Sequence, residues 1–179
     1  MSKILPRKFY QQTTLKVAQH LLGKFLIYKK GTKKFSGMIV ETEAYCGRKD
    51  LACHSAKGKT PRTEVMFGEA GHAYVYLIYG MYHCLNIVTR GVDQPEAVLI
   101  RAVEPYAGPG KLCREIGITK RENGLDVTKS EILWIEDRGA KVTPAKIKKA
   151  TRIGVNYADE YAFKNWRFYL KDNLFVSKR

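Results

Sequence analysis

Cysteine is scarce in this sequence: four among 179 residues, at positions 46, 53, 84 and 113, with no C-x-x-C pair. Cys46 and Cys53 are separated by six residues, as at the start of one iron–sulfur signature, but the closely following cysteine pair that would complete it is missing. The four histidines, His20, His54, His72 and His83, fall at no zinc-ligand spacing. Free buried thiols are therefore expected, with neither a metal nor a disulfide scaffold. Long apolar runs are also missing, so no stretch approaches the roughly 20 residues of a membrane span. The opening Met1-Ser-Lys-Ile-Leu-Pro-Arg-Lys has no apolar core of a secretion signal, which leads to the expectation of a cytoplasmic protein.

Acidic residues are few. Asp and Glu number 17 against 32 Lys and Arg, a formal net charge of +15. A domain this basic tends to meet polyanions, because each neutralised phosphate releases condensed counterions. Charge makes nucleic acid the leading partner without choosing DNA over RNA. It also fits a solvated basic surface, a ribosome-associated protein or one bound to anionic membrane.

What is present is ordinary globular apolar content, 45%, in a chain long enough for one hydrophobic core. Leu15, Val17, Ala18, Leu21 and Leu22 recur at helical spacing between Thr13-Thr14, a capping pair, and Gly23, a stop. Strands are predicted over 24–30 and 34–45, joined through Gly31-Thr32. Residues 46–72 read as a long polar loop, a length that in compact domains is usually functional. Further strands are predicted over 73–79, 84–89 and 96–104, and a short helix from Gly108-Pro-Gly110 toward Gly117. Apolar runs at 132–135 and 166–176 predict returning strands, with a Lys-rich connector at 141–149 between them.

Alternation along I-V-E-T-E-A-Y (39–45) puts Glu41, Glu43 and Tyr45 on one strand face and Val40, Thr42 and Ala44 on the other. Carboxylates in so apolar a strand are costly unless paired or used. Taken alone, an E-x-E on an edge strand with solvated carboxylates is the commoner arrangement. The neighbouring composition shifts that balance. Tyr74, Tyr76, Tyr79 and Tyr82 fall within nine residues, and Gly80 follows Tyr79 as a turn residue. Enzymes that act on a nucleobase take it out of the stack, hold it between aromatic faces and fill the gap. Half-buried core tyrosines are the alternative, favoured for Tyr74 and Tyr82. Arg101, inside V-L-I-R-A-V, is either paired with a buried Glu or aimed at a phosphate.

Several long blocks then coincide. I-V-E-T-E-A-Y, D-x-x-C-H-S (50–55), T-P-R-T (60–63), M-F (66–67), A-Y-V-Y-L-I-Y-G-M-Y-H-C-L-N (73–86) and V-L-I-R-A-V-E-P (98–105) closely resemble the alkyladenine, or 3-methyladenine, DNA glycosylase family. G-P-G-K-L-C (108–113), R-I-G (152–154) and W-R-F-Y-L (166–170) extend the resemblance over nearly the whole chain, in order. It looks like a bacterial form, without the extended N-terminal region of vertebrate members. It departs at Thr151 and Asn165, where the family often has Pro.

The resemblance implies an α+β fold similar to the C-terminal domain of methionyl-tRNA formyltransferase: one compact domain over 1–179, with a mixed, mainly antiparallel curved sheet flanked by helices. It implies a monofunctional glycosylase of base excision repair, monomeric and associated with the nucleoid, that acts on alkylated or deaminated purines in double-stranded DNA without a cofactor. Glu43 would be the general base that deprotonates water, and Arg101 would position that water and the adjacent phosphate. Tyr45, His54, Tyr76 and Asn86 match residues that bind the flipped base, Asn86 by crowding out the exocyclic amine of guanine. Tyr79 matches the residue wedged into the duplex, and Met66 is expected to pack near it. Glu41 is expected in a structural ion pair. Two rival readings remain at this level, a non-catalytic nucleic-acid-binding module and a structural chromosome-binding protein.

Overall fold

The computed structural model describes residues 3–178 and shows one curled, mainly antiparallel sheet with few helices, an α+β arrangement. In chain order the elements are β1 (Lys3–Ile4), α1 (Arg7–Tyr10), α2 (Thr14–His20), β2 (Phe25–Lys30), β3 (Lys33–Tyr45), β4 (Ala73–Ile78) and β5 (Tyr82–Thr89). Then come β6 (Glu96–Val103), β7 (Tyr106–Ala107), α3 (Pro109–Ile116), β8 (Leu133–Asp137), β9 (Ile147–Ala150) and β10 (Arg167–Leu170). The main path of the sheet runs β1-β8-β2-β3-β6-β5-β4.

Strand β3 is the hub because it is long enough to serve different partners along its length. Its first half pairs with β2, from Lys33 opposite Lys30 to Met38 opposite Phe25. Its second half pairs with β6 on one edge and β10 on the other, so Glu43 stands between Leu99 and Arg167. The change of partners needs close backbone approach. A Cβ on Gly37 would lie 2.2 Å from the Glu104 carbonyl oxygen, so only glycine fits there without movement. The β3–β6 register slips around Glu41, the kind of irregularity that bends a strand and increases its twist.

The two faces of the sheet have different tasks. Val40, Thr42 and Ala44 turn toward α2, where the Thr42 hydroxyl donates to the Ala18 carbonyl at 2.8 Å. Val17, Leu21, Val98, Ile100 and Phe168 are all buried in this main core. Removing such side chains from water, at about 25 cal/mol per Å² of apolar surface, is the main force fixing the strand register. The opposite parity carries Glu43, Leu99, Asn86 and Tyr74, successive partners across β3, β6, β5 and β4. With strands about 4.8 Å apart, this row extends about 14 Å across the sheet.

Three local expectations need correction. The Lys-rich connector contains β9, which exists by pairing with β10. The returning strand predicted over 166–176 ends at Leu170, where Asp172 takes a φ of 60° and the Asn173 side chain accepts from the Phe175 amide. The strand predicted from 84 begins at Tyr82, opposite Ile78. Helix α3 starts with Pro109 and stops at Gly117, left-handed at φ 83°, as its Pro and Gly positions predict.

Candidate active site

The long loop 46–72 folds over the second face of the sheet through two single-turn helices, His54–Lys57 and Glu64–Phe67. Cys53, Met66 and Phe67 of this loop pack with Tyr74, Val88 and Ala97 of the strands as a small apolar cluster. Between loop and sheet, and bounded by residues 153–157, lies a pocket of about 260 Å³. Its walls include Tyr45, His54, Tyr76, Asn86 and Arg101, and Tyr79 stands at its rim. Pocket and strand parity thus bring together six of the seven residues singled out in the sequence. The seventh, Glu43, lies directly behind the wall.

Glu43 is fully buried. Its Oε1 accepts from the Ile153 backbone N–H at 2.8 Å and lies 3.3 Å from Arg101 Nη1, while its Oε2 accepts from the Tyr45 hydroxyl at 2.9 Å. Burial pushes this carboxyl above the usual range. Arg101, the Ile153 amide and the Tyr45 hydroxyl pull the other way, because each favours the ionised form. The result is a buried carboxyl that accepts two hydrogen bonds, pairs with Arg101 and is held above its ordinary value by burial.

Arg101 pairs with both acids of the strand, its Nε 3.4 Å from Glu41 Oε1. Glu41 is held further by Arg167, whose Nη1 donates to Oε1 at 2.8 Å, and by the Ser177 amide, which donates to Oε2 at 2.7 Å. A third pair lies alongside: Arg152 donates to both carboxylate oxygens of Asp50, at 2.6 and 2.8 Å. Three carboxylates and three guanidiniums are therefore buried beside the pocket. Unpaired, any one of them would carry a desolvation penalty of several kcal/mol.

The opposite wall is aromatic. The His54 ring meets Tyr76 edge to face with centroids 4.5 Å apart, and His54 Nδ1 is hydrogen-bonded to the Tyr74 hydroxyl at 2.9 Å. Burial, then the charges of Arg62 and Lys57, lower the His54 ring to about 4, so it is neutral at ordinary pH. Burial raises the Tyr74 phenol to about 12 and lifts the Tyr45 phenol well above its ordinary value, the latter helped by Glu43. Asn86 is buried, and its amide nitrogen donates to the Tyr74 carbonyl at 3.2 Å.

Tyr79 is 84% exposed at the tip of the β4–β5 hairpin, with φ 52° followed by φ 70° at Gly80. Two consecutive positive φ values are the type I′ pattern, which favours Asn or Gly and disfavours a bulky ring. Met81, next in the turn, is also exposed. An aromatic side chain held outside the fold in an unfavourable backbone conformation points to a role outside the fold. Met66 is buried in the wall of the same pocket.

Residue-by-residue reading missed four participants. Tyr74 is a core tyrosine, as favoured, but it also orients His54. Asp50, Arg152 and Ile153 act through contacts more than 100 residues apart in sequence, and no local pattern announces these. Their one signal was membership of the D-x-x-C-H-S and R-I-G blocks. Among the described residues no group of three or more His, Cys, Asp or Glu side chains could hold a metal ion, and the four cysteines are free thiols. No helix there is long and apolar enough to cross a membrane.

Comparison with known proteins points to one family. The family model described as methylpurine-DNA glycosylase matches residues 8–174. A protein of Methanocella arvoryzae is 49% identical over 196 residues, covering 98% of this chain and 96% of its own. A Legionella pneumophila protein is 49% identical over 97% of this chain and 98% of its own. A protein of Bdellovibrio bacteriovorus is 48% identical over 98% of this chain and 100% of its own. All three carry 3-methyladenine DNA glycosylase as a provisional name.

Proposed function

The chain belongs to the methylpurine-DNA glycosylase family and is a DNA N-glycosylase, a hydrolase of N-glycosyl bonds; we propose that it flips an alkylated or deaminated purine out of duplex DNA and cleaves it with a water activated by Glu43. The observation that carries this reading is a fully buried carboxylate, held by two hydrogen-bond donors and an ion pair with Arg101, directly behind an aromatic-walled pocket.

In the proposed reaction the Glu43 carboxylate takes a proton from water as the water oxygen attacks the anomeric carbon, and the C–N bond breaks with its electron pair leaving on the base. Arg101, on the pocket wall and paired with Glu43, orients the water and the adjacent phosphate. Alkylation makes the purine a better leaving group, often a cation, and the Tyr45 and Tyr76 rings suit a cation by their negative faces. A positioned base contributes about 10² to 10⁴ in rate.

Specificity in this scheme begins with flipping, which costs a few kcal/mol and least for damaged or poorly paired bases. Tyr79 fills the gap left in the duplex. Asn86, fixed by its bond to the Tyr74 carbonyl, excludes the guanine amine. Excess positive charge supplies the sequence-independent grip on the backbone. The product is an abasic site, without strand cleavage by Schiff-base chemistry, in keeping with a pocket whose lining includes no lysine among the described residues.

The deciding experiment is single-turnover base release from duplexes carrying hypoxanthine, ethenoadenine, 3-methyladenine or 7-methylguanine, with Glu43→Gln in parallel. The wild-type protein should release at least one of these bases and the variant should bind the same duplex while losing excision by about 10² or more. Normal turnover by Glu43→Gln would refute the assigned base. Borohydride trapping of a covalent enzyme–DNA adduct would refute hydrolysis without a lyase step.

A further inference from the structure

Both neutral donors to Glu43 depend on one residue, Arg152, that is charge-coupled to Glu43 but is neither hydrogen-bonded to it nor part of the pocket lining. Ile153, whose amide donates to Oε1, directly follows Arg152 in the chain. Tyr45, whose hydroxyl donates to Oε2, lies under the Arg152 guanidinium, 4.8 Å from its ring centroid. The Trp166 ring is 5.0 Å from the same guanidinium. Arg152 Nη1 also donates to the carbonyl of Ala44, the residue before Tyr45, at 3.0 Å, and Nη2 to that of Tyr161 at 3.1 Å.

Asp50 fixes the other end of this arrangement. It is fully buried and accepts from the Cys46 and Ala52 amides at 3.0 and 3.1 Å as well as from the Arg152 fork. The end of β3, the start of the long loop and the 151–161 segment are therefore joined at one planar cation. This exceeds what holding two loops together requires, because the contacts converge on the backbone and ring that present donors to a single carboxylate.

We propose that the buried Arg152–Asp50 pair is a positioning device for Glu43, setting its orientation and basicity through the Tyr45 hydroxyl and the Ile153 amide. The inference rests on Glu43 being the base. Lysine cannot replace this arginine, since an ammonium makes neither the two-pronged contact with Asp50 nor a flat surface for the rings. The titratable groups facing Glu43 are Arg101, Glu41, Tyr45, Tyr76, Cys84 and Arg152. Of these, only Tyr45 and Arg152 belong to the device. Loss of the two donors leaves the ionised carboxylate less stabilised, so the acidic limb of the pH–rate profile moves upward.

The test uses the full chain, single-turnover excision from pH 5 to 9, and binding to an abasic-site duplex as the measure of folded protein. Arg152→Lys should slow excision at pH 7 by about 10²-fold, the usual consequence of a misplaced catalytic group, while changing abasic-site affinity by less than about threefold. Its acidic limb should move up by about one pH unit. An unshifted limb would overturn the proposal, even if activity fell, by reducing the pair to a fold support; unchanged activity would overturn it outright. Trp166→Leu, at a half-buried position, decides the matter if Arg152→Lys does not fold. It should shift the limb in the same direction with a loss of about tenfold, and wild-type behaviour would overturn the proposal. Glu43→Gln separates the two levels: if it turns over normally, the base assignment fails, whereas a dead Glu43→Gln beside a normal Arg152 variant removes this inference alone.

Discussion

The Tyr45 hydroxyl donates to Glu43 Oε2 at 2.9 Å, from a ring that is also a wall of the pocket. One side chain thus contacts both the pocket and the carboxylate proposed to activate water.

Tyr45→Phe separates those two contacts, because the ring stays and the hydroxyl goes. A donor to a carboxylate favours the ionised form, so its loss adds to the upward push of burial on Glu43. Excision should fall more at pH 6 than at pH 8, by about tenfold in the ratio of the two rates. An equal loss at both pH values would show that the hydroxyl does not act on the base.

His54 should stay neutral. Its ring is lowered to about 4, by burial first and by Arg62 and Lys57 next, so folding leaves it uncharged where an unfolded histidine protonates. A lowered histidine contributes stability above its unfolded value of about 6.5 that is lost as pH falls toward 4. Nitrogen-15 NMR of labelled histidine should show the His54 ring titrating below pH 5, with its tautomer altered in Tyr74→Phe. Titration near 6.5 would contradict the buried setting.

Tyr79→Asn should divide stability from function. It creates Asn-Gly, a favoured type I′ pair, at a site where the tyrosine ring is solvent-exposed. Thermal stability should be unchanged or higher by about 0.5–1 kcal/mol, since the left-handed conformation is easier for Asn. Capture of a flipped base, measured by fluorescence of ethenoadenine or 2-aminopurine in the duplex, should weaken by about tenfold, more than binding to an abasic site. Equal losses on the two DNAs would remove the wedge role.

The elements most legible in the sequence were those whose own composition decides them. Strand β3 alternates strongly enough to fix its faces, so Glu43 and Tyr45 share one side before any partner is known; Arg101 stands out as a charge in the apolar run of β6, buried on both faces, and only the β3–β6 pairing puts it beside them. Helix α3 is delimited by its own Pro109 and Gly117. What escaped depends on partners far away in sequence. β9 has Lys148 and Lys149 at its centre and becomes a strand only because β10 lies beside it. Asp50 reads as an ordinary loop residue until Arg152 is placed against it. Tyr74 is the core residue its apolar surroundings suggest, while its hydrogen bond to a pocket histidine, 20 residues away, has no local signal.

The buried charges beside the pocket balance only while Glu43 is ionised. If it takes a proton from water, as proposed, Arg101 faces only Glu41, which Arg167 already shares, and the wall holds one uncompensated positive charge. That surplus would work against the protonated state of Glu43. On this reading the site returns its proton to solvent without a separate acceptor, and the same ion network that prepares the base also restores it between one lesion and the next.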